Sequence, residues 1–384
     1  MKKYFNIKLA AIVFAAFALL SSVLDVSQGH AKMMGNVLTT HYNNYLIFKQ
    51  SFWHLVGHQN LYVHYNTEHY DLYKYAPTFA LMMAPFAYLP DIIGLSLWNL
   101  LNALLLWYAI RTLPFSMSVC NKMVWFVLLE MLTAIQNDQS NALLVALMLL
   151  AYTSLEQDKI GRATAFLSLA TYIKIFPIVA FAWILFYPSR WKSMVWSAFH
   201  VAWLALIPML LIGKDQLWWQ YQNWTVMLKQ DYSDSFGLSV MAWCQTWFGF
   251  VAKKEILILG ILVFIAFSLF WKQYENARYR INMVVFTLLW MVVFNHKAES
   301  PTFVIAMAGA GLWYFTKEKP SALDTTLLVL AFIFTSLSPT DLFPRILRTT
   351  FVVPYVLKAV PCIWIWLKVC TEILSRKRSE TNFQ

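Results

Sequence analysis

Long apolar runs alternate with short polar stretches along almost the whole chain. The runs fall near 4–24, 77–89, 91–111, 121–135, 140–156, 163–173, 176–187, 191–212, 238–272 (interrupted), 281–295, 302–316, 322–338 and 350–372. Most suit helices crossing a hydrocarbon layer of ~30 Å. They are continuous rather than alternating, which excludes a β-barrel. A chain in lipid must satisfy its backbone polar groups internally, so the pattern predicts an all-α, polytopic membrane bundle.

Three places qualify that picture. Segment 77–89 is short and is expected to re-enter the membrane without crossing it. Segments 163–173 and 176–187 meet at Lys174-Ile175-Phe176-Pro177. They form either one span broken at a proline or a short hairpin, and a full crossing there flips the parity of the first part. The start, up to Val26, resembles a signal peptide. Its apolar stretch is long and no small-residue cleavage site follows cleanly, so it reads as an uncleaved first span. With no internal repeat or soluble domain, residues 1–384 read as a single integral membrane domain. It has an extracytoplasmic loop at 25–76, including an interfacial helix at 45–56, and a basic cytoplasmic tail at 375–384.

Composition sharpens the class. The 384 residues are 60% hydrophobic and 13% charged, with mean hydropathy +0.54, which rules out an ordinary soluble domain. Eighteen Trp and nineteen Tyr suit belts at the membrane interfaces. The net charge of +11 does not indicate nucleic-acid binding, because much of it lies in short loops, where it reports topology. Cys120, Cys244, Cys362 and Cys370 show no metal-ligand spacing and read as small buried thiols.

Charge divides the loops into two kinds. Lys2–Lys3, the stretch from Arg111 to Lys122, and 156–162, 188–192, 272–280, 316–320 and 376–378 are basic and otherwise bland. The positive-inside tendency places them in the cytoplasm. The second kind is less basic and rich in particular polar residues: 25–76, 136–141, 174–177, 214–237, 295–301 and 338–345. If these share the outer side, they converge on a cavity facing outward. The plainer reading is that loops are polar anyway. Against it, six of the eight histidines fall between His30 and His69.

Several motifs occur in a particular order: Asn44-Tyr45, Gly57 to Tyr62, Tyr73-Lys74-Tyr75-Ala76-Pro77, "APFAYLP" (84–90), Gln139-Ser140-Asn141, Lys174-Ile175-Phe176-Pro177, and His296 to Pro301. In that order and spacing the chain resembles glycosyltransferase family 87, and the resemblance covers most of its length. It implies a GT-C-like fold of about twelve transmembrane helices with a long first extracytoplasmic loop. It also implies a transferase that moves a hexose, mannose in the family's pattern, from a polyprenyl phosphate to a lipid or glycan acceptor. The site would face the outside of a bacterial plasma membrane. The partners implied are the donor, the acceptor and membrane lipids, with no cofactor, no metal and no nucleic acid. Such chemistry needs a carboxylate near the attacking hydroxyl and cations or amides on the leaving phosphate.

The sequence departs from the family at Asn44, where the family carries an acid. An amide cannot take the proton, so Asp71 is the candidate base, followed by Glu299 and Glu68. Asn44, Tyr45, Lys74, Tyr75, Gln139, Asn141, Lys174 and His296 are the candidate substrate-binding residues. Each has a plainer reading. Lys174, costly in an apolar stretch, would hold the donor phosphate or snorkel to an interface. Glu130 would be neutral, paired with a cation in the bundle, or catalytic. Asp71 could simply pair with Lys74. His54 and His58, with His64 and His69 nearby, could hold a metal, though no acid stands at a ligand-like offset. Trp218, Trp219, Tyr221 and Trp224 read as an interface belt or as a surface for stacking a sugar. Two rival functions remain: a transporter or flippase of lipid-linked glycans, and an inactive relative that only binds polyprenyl-linked sugars. The absence of paired repeats counts against the transporter.

Overall fold

The computed structural model describes residues 6–29, 32–34, 37–231 and 235–375. Lys2, Lys3, His30, the loop positions 232–234 and the tail 376–384 lie outside the described residues. The chain is 73% helical. Helix α1 (Ile7–Gln28) opens on Asn6, whose side chain accepts from the Leu9 amide at 2.7 Å, and stops at Gly29 with φ +59°. The polar stretch therefore starts at Gly29, four residues later than expected. A small antiparallel hairpin, β1 (Lys32–Met34) and β2 (Val37–Thr39), leads into α2 (Asn43–Val56), which matches the interfacial helix expected at 45–56.

After an irregular stretch the chain forms α3 (Pro77–Met82) and α4 (Ala84–Ala87). At 1.5 Å per residue these are about 9 and 6 Å long, too short to cross a bilayer. Then follow α5 (Asp91–Arg111), α6 (Met117–Ile135), α7 (Asn141–Glu156) and α8 (Ile160–Ile173). Lys174 is extended, with φ −141° and ψ 142°, and Phe176–Phe186 continues as a 3₁₀ helix with Pro177 near its start. The proline lacks an amide to continue the α-helical ladder, so the break falls where the sequence placed it.

The second half comprises α9 (Arg190–Leu206), α10 (Met209–Ile212), α11 (Lys214–Gln230), α12 (Val240–Phe248), α13 (Lys253–Ser268), α14 (Ala277–Val293), α15 (Phe303–Phe315), α16 (Ala322–Ala331), α17 (Arg345–Leu347) and α18 (Val360–Leu374). The interruption within 238–272 is Gly249, left-handed at φ +66°. The apolar run 350–372 is not one helix. A π-helical turn at Arg348–Val352 ends near Pro354, and α18 starts only at Val360. The connecting turn carries Lys358, whose Nζ meets buried Glu130 on α6 at 2.8 Å. Lys358 also donates to Thr335 O at 2.8 Å. A lysine held inward in this way draws the chain out of a straight helix.

Among the described residues four helical stretches are long and apolar enough to cross a membrane: Ile7–Gln28, Asp91–Arg111, Met117–Ile135 and Arg190–Ile212. Inside them, α7, α14 and α15 are buried on nearly every side, as expected of helices that are apolar all round. The faces of α9 and α13 carry exposed Trp191, Val195, Phe199, Leu259 and Leu262, which suit contact with lipid tails. All four cysteines are free; Cys244 is partly exposed and the other three are buried.

The central helices give the molecule two polar ends. Near the starts of α7 and α15 and the end of α14 lie Asn141, Glu299 and Asn295. At their other ends Arg280 holds Glu156 through two bonds of 2.8 and 3.1 Å, with Tyr187 on the same carboxylate at 2.7 Å. There too Lys317 pairs with Glu372 at 2.7 Å and Asp324 at 3.0 Å. The two groups are separated by the length of α7, about 24 Å. The bland, basic loops supply much of this second end, and the polar-motif loops meet at the first.

Candidate functional site

At the first polar end lies a cavity of about 430 Å³. Its walls come from β1, the start of α2, the irregular stretch after Val56, the turn before α7, the break after α8, the end of α11 and the loop before α15. Ile47, Phe48, Leu72, Ile175, Phe176 and Leu228 make its apolar wall. Eight sequence candidates line it together: Asn44, Asp71, Lys74, Tyr75, Gln139, Lys174, His296 and Glu299.

Lys174 stands where α8 ends, so its side chain leaves the helix rather than following it. Its Nζ donates to Asn141 Oδ1 at 2.7 Å and Gln139 Oε1 at 3.4 Å. The rings of Tyr75 and Phe176 flank it at 5.8 and 5.9 Å. Asn141 donates in turn to Pro301 O at 3.1 Å, tying the start of α7 to the loop before α15. Asn141 itself lies behind the cavity wall. The Gln-x-Asn and Lys-x-x-Pro motifs are thus one hydrogen-bonded unit, though 33 residues separate Asn141 from Lys174.

The first loop is held against α2 by Asn43. Its Oδ1 accepts from Tyr70 N at 2.8 Å, and its Nδ2 donates to Tyr70 O at 2.9 Å. Asp71 follows in a left-handed conformation, φ +76°, which is uncommon for a residue with a Cβ and is concentrated at functional positions. Its Oδ1 accepts from Leu72 N at 2.7 Å and its Oδ2 from Lys74 Nζ at 3.0 Å. The expected Asp71–Lys74 pair is present, and it coexists with the cavity. Lys74 also lies 3.5 Å from Asp231 Oδ1, and Lys297 shares that oxygen at 3.1 Å. Burial works against the Lys74 charge, but Asp71 and Asp231 outweigh it and hold the ammonium above its ordinary pKa.

Glu299 opens the turn at Ser300–Thr302, where its side chain and that of Thr302 cap each other's backbone amides. His296 sits one turn earlier. Burial, and then Lys253 and Lys297, push its imidazole down to about 4, so it is neutral near pH 7. Asn44 donates to Asn137 O at 2.9 Å, anchoring the start of α2 to the turn before α7.

Two candidates lie elsewhere. Glu68 meets His54 Nε2 at 3.0 Å and does not line the cavity. Tyr45 is fully buried and donates to Phe86 O at 3.3 Å. A Cβ at Gly94 would strike its hydroxyl, so Tyr45 works as a spacer between α2 and α5. His54 stacks on Tyr65 with ring centroids 3.7 Å apart. Among the described residues no group of three or more His, Cys, Asp or Glu could hold a metal ion. Glu130 is paired with Lys358 inside the bundle, away from the cavity. Trp224 donates to Lys74 O at 3.3 Å, while Trp218 and Trp219 are exposed.

Sequence reasoning missed Lys32, His41, Asn43, Asn137, Asp231, Asn295 and Lys297, all on the cavity wall. Asn43 neighbours Asn44, Asn295 precedes the motif that opens at His296, and Lys297 lies inside that motif. Asp231 gave no local signal, because only the folding back of α11 brings it to Lys74. The lining mixes Lys32, Lys74, Lys174 and Lys297 with Asp71, Asp231 and Glu299. Such a wall can neutralise an anion in one part and present a carboxylate to a hydroxyl in another.

The family model "Glycosyltransferase family 87" matches residues 73–339, more than half of the chain. The matched range holds Lys74, Tyr75, Gln139, Asn141, Lys174, His296 and Glu299, and starts just after Asp71. A search of curated proteins finds no match.

Proposed function

The chain belongs to glycosyltransferase family 87, and on that premise we propose that it transfers a hexose, mannose, from a polyprenyl phosphate to a hydroxyl of a lipid or glycan. The bundle, GT-C-like with about twelve crossings, carries the site on the outer face of a bacterial plasma membrane. The observation that supports this reading most is the shared cavity. Polar groups from widely separated loops line it, at one end of a body built from apolar helices.

In this reading the phosphate of the donor lies against Lys174, which Gln139 and Asn141 aim. The acceptor oxygen attacks the anomeric carbon, the bond from that carbon to the phosphate oxygen breaks, and the phosphate leaves with the electron pair. Lys174 takes up its growing charge. The proton of the acceptor hydroxyl passes to a carboxylate. Asp71 fills this role. A carboxylate has about four acceptor positions, so its bond to Lys74 leaves room for a hydroxyl. Glu299, on the same wall, is the next candidate. Glu68, engaged by His54, is the third. Asn44, Lys74, Tyr75 and His296 border the sugar and acceptor.

The test is direct. Purified protein is incubated with synthetic polyprenyl-phosphate hexoses and a membrane lipid extract, and products are followed by mass. A lipid or glycan heavier by one hexose is the expected result. No product from any donor, with no binding of polyprenyl phosphate, would remove the donor assignment.

A further inference from the structure

Asp138 lies between two residues of the cavity wall, Asn137 and Gln139, yet points away from the cavity and is fully buried. We propose that Asp138 is a positioning residue, kept as a neutral carboxylic acid, whose hydroxyl donates to Asn99 Oδ1 and fixes the turn that carries Asn137 and Gln139.

Among the described residues neither carboxyl oxygen of Asp138 has a hydrogen-bond partner, and no cation stands within ion-pair distance. Asn99, on α5, is equally buried, and its Oδ1 is also without a donor. The Asn99 amide lies within reach of the Asp138 carboxyl. Its Nδ2 has two hydrogens: one goes to Ser22 Oγ at 3.0 Å, and the other is available to one Asp138 carboxyl oxygen. Asn99 Oδ1 and at least one Asp138 oxygen therefore still lack a donor. Leaving such groups unpaired is costly, and a buried unpaired charge costs more. One proton on Asp138 supplies the missing donor and removes the charge.

The surroundings agree. Burial acts most strongly, raising the carboxyl well above the usual range, and the Asp25 carboxylate on α1 adds to it. The Asn99 amide as a donor, and then Lys32 on β1, act in the opposite direction. Tyr45 on α2 faces the same region.

The turn is a device for presenting groups to the cavity. Asp138 has φ +52°, and its carbonyl accepts from Trp98 Nε1 at 2.9 Å. With its side chain fixed to Asn99, both anchors are on α5. The neighbouring groups are then held for Asn44, which donates to Asn137 O, and for Lys174, which donates to Gln139 Oε1. Ionising Asp138 would set a carboxylate against Asn99 Oδ1 and shift the turn.

The protonation state can be read without any turnover. Infrared spectra of the full chain at neutral pH, with and without ¹³C-labelled aspartate, should show a carboxylic-acid carbonyl band that moves on labelling. Asp138→Asn should abolish it, and Asn99→Leu should move it. A wild-type spectrum without such a band overturns the proposal, even if both variants fail to fold. So does a band that survives in folded Asp138→Asn. The folded protein keeps a proton that the unfolded chain releases above about pH 4. Wild type should therefore lose stability relative to Asp138→Asn as pH rises, by up to about tenfold in the folding constant per unit. Parallel curves, or a sodium-dependent stabilisation present only with Asp138, would argue for an ionised or cation-bound site instead. The positioning role rests on the donor assignment of Lys174. Asp138→Asn should keep polyprenyl-phosphate affinity while Asp138→Ala loses about tenfold. Equal affinity in Asp138→Ala overturns the positioning role. Failure of the wild type itself to bind overturns the donor assignment and leaves the infrared result standing.

Discussion

Lys174 and Asp71 each make a structural contact beside the role proposed for them. Lys174 gives two hydrogen bonds to amide oxygens, neither of which neutralises its charge, so an anion in the cavity would gain a full ion pair. Removing a charged hydrogen bond of this kind costs about 1.5–3 kcal/mol. Lys174→Met should weaken polyprenyl-phosphate binding by about tenfold to a hundredfold in an equilibrium assay. Unchanged affinity would mean that the lysine only ties α8 to α7. Asp71 differs, because Lys74 already balances its charge. Asp71→Asn should leave donor binding intact and lower turnover by about 10²–10⁴, while Asn44→Asp should be tolerated. If Asp71→Asn turns over normally and Glu299→Gln does not, the base is Glu299.

At the scale of elements, the stretch between α2 and α3 forms the roof of the cavity, and buried histidines pack it. His54 and His69 are both nearly inaccessible, and burial holds each below its usual pKa. His54 adds to the effect on His69, while Glu68 opposes it on both. The sign follows from linkage. As pH falls, the unfolded chain takes up protons near pH 6.5 before the folded one does. This contribution is intact above about pH 6.5 and is lost as pH falls toward the depressed folded values. The unfolding temperature of the purified protein should drop between about pH 7 and pH 5, and His69→Gln should flatten that drop. His69 Nδ1 donates to Asp71 O at 3.1 Å, a bond that a protonated ring keeps, so acidification acts on the packing of the roof and not on this contact. A temperature curve that is level over this range in the wild type would show that the histidines are not held neutral.

The whole molecule is polarised. The helices α7, α14 and α15 carry the cavity at one end and the Glu156–Arg280 and Lys317–Glu372 pairs at the other. The basic loops gather at the second end, and from the positive-inside tendency we propose that the cavity faces outward. In intact cells a single cysteine in place of Glu299 should react with an impermeant reagent. One in place of Asp158 should react only after permeabilisation. The reverse pattern would invert the orientation and turn the cavity to the cytoplasm.

The sequence by itself determined the class of the protein. Continuous apolar runs leave helices as the economical way to satisfy the backbone in lipid, and they placed α1, α5, α6 and α9 before any coordinates. Local chemistry was equally legible where its cause was local. Pro177 marked the break at Lys174, just past the end of α8, and the i, i+3 spacing paired Asp71 with Lys74. Eight candidates read from the sequence share one cavity. Only the tertiary structure decided what depends on distant segments meeting. It joined Lys174 to Asn141 and brought Asp231 to Lys74 and Lys297. It turned Tyr45 into a spacer against Gly94, and it drew Glu68 to His54 and away from the cavity. It also paired Glu130 with Lys358 and broke the last apolar run there. Residue order carries period and propensity, whereas the partner of a polar side chain is fixed by the packing of helices far apart in the chain.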